Sequence, residues 1–260
     1  MEDLKELVRT KYAKLAVESD QSCCSTGSSS PNDVTIMSED YSKLDGYVAD
    51  ADLNLGCGMP TDFARIQPGM TVLDLGSGAG NDVFIARQLT GETGEVLGID
   101  FTEEMVKKAN ANKAKLGFKN VRFIQGDIED MPIPSNSIEV CVSNCVMNLV
   151  PNKQLAYNEV YRVLKPGGHF SISDIVTDGQ LPTDIRKAAE LYAGCVSGAL
   201  PKEDYLNHIQ QAGFKDIQID KERLIELPDS LLLEHITEKA LKAFRESGAS
   251  IYSINVFARK

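Results

Sequence analysis

From Met70 onward the chain repeats one pattern: a short apolar, β-branched run, then a stretch of helical length. The runs are Thr71–Leu75, Glu95–Ile99, Val121–Ile124, Ile138–Val142 and His169–Ile175. The stretches between them include Glu103–Leu116 and Lys153–Leu164, both with helical spacing of apolar residues. Strands that alternate with helices imply a parallel sheet covered on both faces. The tail changes rhythm: a helix at Lys202–Gln211, a strand near Phe214–Ile219, a helix at Ser230–Glu246 and a strand at Ser250–Phe257. A final strand of this kind suits an antiparallel addition, so the expected fold class is α/β, Rossmann-like, with a mostly parallel seven-stranded sheet and a last antiparallel strand.

Ahead of this core, Leu4, Leu7, Val8 and Leu15 predict an amphipathic helix over 2–18. Residues 19–33 are Ser-rich and carry the vicinal pair Cys23 and Cys24, reading as a mobile linker. The organisation is therefore 1–33 helix and linker, 34–69 a pre-core segment of loops and one or two short helices, and 70–260 the core, with a substrate-site insertion around 176–213.

The net charge of −11 argues against binding to phosphate backbones or anionic membranes. The charged start, Met1 to Leu7, lacks the apolar run of a signal peptide, so a cytoplasmic protein is expected; a monomer is expected as well. In that compartment the six cysteines should rest as thiols. With no CxxC pair among them, a paired-knuckle zinc site is not expected.

Residues 72–82, VLDLGSGAGND, place Gly76, Ser77, Gly78 and Gly80 between a strand and a helix. Glycines there let the backbone turn sharply and approach a ligand. Asp100 ends the second strand, where a carboxylate accepts hydrogen bonds from ribose hydroxyls. A dinucleotide would bring a pyrophosphate to the helix N-terminus. Asp74 and Asp82 in the loop, with Asp127 after the third strand, would repel it. They suit a cationic ligand with an ammonium and a sulfonium, which points to S-adenosylmethionine.

The pattern resembles the class I S-adenosylmethionine-dependent methyltransferases over about residues 60–260. The resemblance implies that Gly76, Ser77 and Gly78 line the methionine portion and Asp100 holds the ribose. It further implies that Phe101 packs on adenine, Asp127 and Ile128 flank its edge, and Asn144 contacts the cofactor near its methyl group.

Three cysteines stand in loop-like surroundings: Cys57 in LGCGMP, Cys145 in SNCVMNLVP and Cys195 in YAGCVSGA. Cys141, inside an apolar strand, reads as a small buried hydrophobe. Each of the three could be no more than that, yet together they could converge as the soft donors a thiophilic centre requires. With GCG-x-P, DLGSGAG-x-D, SNCV-x-NL-x-P-x-K, SDIV, GC-x-SGA and the vicinal cysteines, the chain resembles the arsenite methyltransferases over nearly its whole length.

That resemblance implies Cys145 and Cys195 as principal ligands of trivalent arsenic, Cys57 as the third, and Cys23 or Cys24 as a mobile thiol. It also implies a small-molecule acceptor, arsenite or a thiol conjugate, and a thiol reductant such as glutathione. Members of the family often carry Tyr just before GCG, where this chain has Asn54 and Leu55. The three histidines, His169, His208 and His235, read as packing or surface residues. Two other readings stay open: methylation of a small organic acceptor, which would need a base near Asn144, and a non-catalytic thiol-based metalloid-binding protein.

Overall fold

The computed structural model describes residues 2–21, 38–192, 196 and 198–260. Cys23, Cys24 and Cys195 lie outside the described residues, as does most of the predicted linker. In chain order the elements begin with helix α1 (Glu2–Gln21), two 3₁₀ turns at Tyr41–Lys43 and Ala49–Ala51, and the short α2 (Pro60–Phe63). The core follows as β1 (Thr71–Leu75), α3 (Asn81–Thr90), β2 (Glu95–Asp100), α4 (Glu103–Leu116), β3 (Val121–Gln125) and β4 (Ile138–Asn144). Next come α5 (Lys153–Val163), β5 (Leu164–Asp178), α6 (Thr183–Tyr192), α7 (Lys202–Gln211) and β6 (Lys215–Ile225). The chain closes with α8 (Asp229–Leu233), α9 (Glu238–Ser247) and β7 (Ser250–Arg259).

The seven strands form one sheet in the order β3-β2-β1-β4-β5-β7-β6. Strands β1 to β5 pair in parallel, and β7 runs antiparallel to both β5 and β6. The last strand therefore slots between two others rather than closing the edge. Strands β1, β2 and β4 are buried almost throughout, as expected for strands covered on both faces. The order reverses between β1 and β4, and ligands of open α/β sheets bind in the crevice beyond the carboxyl ends of the strands at such a reversal.

Three expectations are modified. The single helix predicted over Ser230–Glu246 is two, because Thr237 accepts a hydrogen bond from Ala240 N and caps a fresh helix there. The strand near Phe214–Ile219 extends to Ile225 along β7. In α1 the predicted stripe faces inward only in part: Val8 lines the crevice with Lys5 and Tyr12, and Ala16 is buried, while Leu7 is exposed. Among the described residues no helix is long and apolar enough to cross a membrane.

Candidate active site

A cleft opens at the carboxyl ends of β1, β2 and β4. Asp74, Gly76, Ser77, Gly78, Asp82, Asp100, Phe101, Asp127, Ile128, Asn144 and Cys145 all line it, so these sequence-predicted residues do converge. Gly80 does not line it. Its place is at the start of α3, where an added Cβ would fall 2.9 Å from the rings of Phe84 and Phe123. The loop glycine there makes room for packing, not for a ligand.

Asp100 spans the end of the cleft at β2, where the methyltransferase resemblance would place the cofactor's nucleoside: the nucleoside end. One carboxylate oxygen accepts from Gly78 N and the other from Thr102 N, both at 2.9 Å. These bonds orient the group toward the cleft. Burial raises its pKa against their opposing pull. Burial likewise raises Asp74, with repulsion from Asp82 and Asp100 adding to it. Asp82 is pushed up to about 7 by burial, although the nearby Asn144 amide and the Tyr41 hydroxyl dipole favour its charged form. Three buried carboxylates around one cleft suit a cationic ligand, whose charge would favour their ionised forms.

The donor set also fits S-adenosylmethionine. Ser77 Oγ, Asn81 Oδ1 and Thr102 Oγ1 are buried with no hydrogen-bond partner among the described residues. All three residues line the cleft. Buried polar atoms without partners are rare in native proteins, and a ligand rich in hydroxyl, amine and carboxylate groups satisfies them. At the far wall, Lys5 Nζ lies 2.6 Å from Asp127 and pairs also with Glu129. The Arg9 guanidinium sits 5.8 Å from the centre of the Phe101 ring. Helix α1 thus roofs the nucleoside end, a role that the predicted leucine stripe did not reveal.

The thiol end is built from three distant segments. Cys145 follows β4 in the left-handed region (φ +60), with its N–H donating to Ser173 O at 2.8 Å. Cys57 lies directly behind it, fully buried, and the two sulfurs are joined in a disulfide with Cα atoms 5.8 Å apart. This departs from the expectation of six resting thiols: the fold brings these two within bonding range although 88 residues separate them in sequence. Burial holds Cys141, in the main core, as a protonated thiol with a raised pKa, in keeping with its reading as a hydrophobe.

The GCG motif now has a structural cause. A Cβ on Gly56 would lie 2.5 Å from the Asn144 amide, and one on Gly58 would lie 2.6 Å from Ser173 Oγ. Only glycine on either side lets the Cys57 segment press this closely onto β4 and β5. The backbone of Cys57 is pinned at both ends, its N–H donating to Asn144 Oδ1 (3.0 Å) and its carbonyl accepting from Ser253 Oγ (2.6 Å).

Behind the sulfurs stands a residue the sequence reading passed over. A carboxylate oxygen of Asp174 and the two sulfurs all lie within 4.8 Å of one another. Asp174 is fully buried, accepts from Ile175 N (3.0 Å) and Tyr205 Oη (3.3 Å), and is pushed up to about 7 by that burial. Its only sequence signal was its place in the SDIV motif. Among the histidines, His169 Nε2 lies 2.7 Å from Ala64 O and His208 Nδ1 lies 3.0 Å from Gln154 Oε1, both outside the cleft. Both are packing residues, as expected.

Comparison with known proteins agrees with this geometry. Residues 66–228 match the family described as "Methyltransferase domain". An arsenite methyltransferase of Halobacterium salinarum is 39% identical over 271 aligned residues, covering 100% of this chain and 67% of the relative. The Homo sapiens arsenite methyltransferase is 43% identical over 152 residues, covering 55% of this chain and 40% of its own length. The chain thus spans two thirds of the first relative and well under half of the second. The crystal structure of an arsenic(III) S-adenosylmethionine methyltransferase from Chlamydomonas reinhardtii superposes with a TM-score of 0.67 at 35% identity, over 79% of this chain and 67% of that one. With a methyltransferase family matched over residues 66–228 and a full-length likeness to an arsenite methyltransferase, the chain belongs to the S-adenosylmethionine-dependent methyltransferases and, within them, to the arsenite methyltransferases.

Proposed function

We infer that this chain methylates trivalent arsenic, supplied as arsenite or its thiol conjugate, and holds the acceptor on cysteine thiolates. The observation that carries the reading is the meeting of Cys57 and Cys145 at the inner end of the cleft whose outer end carries Asp100 and Phe101. Cys195 is the third ligand in this reading. Its neighbour Val196 is buried in the same apolar cluster as Cys57 and Cys145, which supports that role.

When bound, S-adenosylmethionine supplies an electrophilic methyl group to the arsenic lone pair. Three thiols displace the three hydroxyls of arsenite as water, so ligation consumes no base. The lone pair carries no proton, and the cleft accordingly needs no histidine. Soft thiolates select the soft centre and add electron density to it. The apolar surroundings of Cys57 and Cys145 keep hydroxide away. Holding acceptor and donor in line supplies the rate, since positioning is worth on the order of 7–11 kcal/mol in well-aligned reactions.

After transfer the arsenic is formally pentavalent and cationic. Two of its thiolates leave as a disulfide, their electron pair returns arsenic to trivalency, and water supplies one hydroxyl and releases one proton. Cys57 and Cys145 are already placed to form that bond. Two equivalents of glutathione then restore the thiols and leave as glutathione disulfide. Cys23 or Cys24 serves as the mobile thiol that relays this exchange.

The test is product speciation. The reduced protein, labelled cofactor, arsenite and glutathione should yield methylated arsenic, and arsenite should protect Cys57, Cys145 and Cys195 together from alkylation. No labelled arsenic product, or protection centred on Cys141, would sink the reading.

A further inference from the structure

Tyr41 belongs to none of the motifs, yet its hydroxyl stands where the cofactor cleft and the thiol pair meet. The residue sits in the first 3₁₀ turn, its ring buried at 5% exposure and forming part of the cleft wall. Asn144 Nδ2 lies 2.6 Å from the hydroxyl, Gly58 O lies 2.7 Å away, and the Asp82 carboxylate oxygens lie at 3.2 and 3.4 Å. A phenol has one proton to give. With Asn144 donating into it, the hydroxyl donates to the nearer acceptor, Gly58 O.

The Asn144 amide is then fully committed. Its oxygen accepts from Cys57 N (3.0 Å) and Gly58 N (3.3 Å), and its nitrogen donates to Tyr41 (2.6 Å) and to Gly58 O (2.8 Å), with Asp82 Oδ2 a longer third acceptor at 3.3 Å. Turning the amide over would set its NH₂ against two N–H donors, so those donors fix its orientation, and in that orientation its Nδ2–H meets the Tyr41 oxygen. Cys57 lies outside any helix or strand, and these bonds together with Ser253 hold its segment in place.

We propose that the Tyr41 hydroxyl is a positioning group: through the Asn144 amide it holds the Cys57 thiol against Cys145 and ties that placement to the cofactor wall. The proposal deepens the arsenic reading and rests on it for the consequence in turnover, while its effect on the thiol pair is independent of arsenic. Tyr41→Phe keeps the ring and deletes the hydroxyl, removing the nearest acceptor of the Asn144 amide and the donor to Gly58 O, and leaving the freed N–H only the longer contact to Asp82 Oδ2 at 3.3 Å.

The direct readout is the equilibrium of the Cys57–Cys145 pair in glutathione buffers, where two thiols and one glutathione disulfide exchange for the protein disulfide and two glutathiones. Tyr41→Phe should lower the effective concentration of the pair about fivefold or more, the factor that corresponds to about 1 kcal/mol. In arsenite methylation kcat should fall by a similar factor, with KM for S-adenosylmethionine changed by less than about threefold.

Asn144→Asp, which replaces the donating nitrogen with an oxygen, provides the second arm. Its effect on the thiol equilibrium should be non-additive with Tyr41→Phe, because one group acts through the other. A Tyr41→Phe protein with an unchanged thiol equilibrium overturns the proposal, whether or not cofactor affinity falls. Strict additivity of the two variants overturns it as well. If the unmodified protein methylates no arsenic while Tyr41→Phe still loosens the thiol pair, the arsenic reading fails and the positioning role stands.

Discussion

The nucleoside end of the cleft and its thiol end share one crevice, but they are built in different ways. At the nucleoside end Asp100 hangs on the tip of a core strand and is oriented by groups near it, although Asp127 is also held by Lys5 of α1. Asp100 accepts from Thr102, two residues on, and from Gly78 in the adjacent strand's loop. At the thiol end Cys57, Cys145 and Asp174 come from a loop, from just beyond β4 and from within β5, and the loop is held by side chains up to 196 residues away. The first arrangement tolerates change elsewhere in the chain. The second depends on every contact that presses the loop down.

The largest contrast should come from removing a ligand at one end only. Cys145→Ser should lower methylation of arsenite by more than about 100-fold, the loss that a misplacement of about 1 Å already brings. Cofactor binding by calorimetry should stay unchanged. A variant that loses both would erase the division between the two ends. Conversely, Asp100→Ala removes a charged acceptor worth about 1.5–3 kcal/mol. It should weaken S-adenosylmethionine about 10- to 100-fold. Arsenite protection of Cys57 and Cys145 from alkylation should persist, as mass spectrometry can read directly.

A smaller effect probes the tightness of the thiol end. Gly58→Ala drives a methyl group to 2.6 Å from Ser173 Oγ and 2.8 Å from its Cβ. Overpacking of this kind costs about 1–3 kcal/mol. Thermal unfolding should therefore fall by about 2–4 °C per kcal/mol in a domain of this size. An unshifted Tm would show that the loop can yield, and that its close approach is not what demands glycine.

The smallest effect concerns charge at the cleft floor. Asp82, raised to about 7 in the folded protein, favours its neutral form there. Its contribution to stability is present below the ordinary carboxylate range and is lost as pH rises through about 7. Asp82→Asn, neutral at all pH, should gain stability relative to the parent on going from about pH 5 to about pH 8, by a few degrees in Tm. Binding of the cationic cofactor has the opposite sign. Parent affinity should weaken as pH falls below about 7, with a flatter profile in the variant. Parallel profiles for the two proteins would remove Asp82 from the cofactor's electrostatics.

Much of this molecule is legible in its sequence, and the reason is range. The alternation of strands and helices follows from apolar periodicity over a few residues, and the strand–glycine–helix run at 72–82 sets its own geometry. An acid at the end of the second strand must then face the crevice, whatever the rest of the chain does. Local signals likewise marked Cys57 and Cys145 as loop residues and Cys141 as core. What no local signal carried was their meeting. The contact between Cys57 and Cys145 spans 88 residues, and the bond from Asn144 to Tyr41 spans 103. Asp174 read as one more strand residue until burial set it behind two sulfurs. Lys5, Val8 and Tyr12 became the cleft roof only when α1 docked on α4 with that face inward. Period and turn chemistry are properties of neighbours along the chain. Which distant side chains share a hydrogen bond is decided by packing, and only the folded sheet and its loops bring those groups within reach.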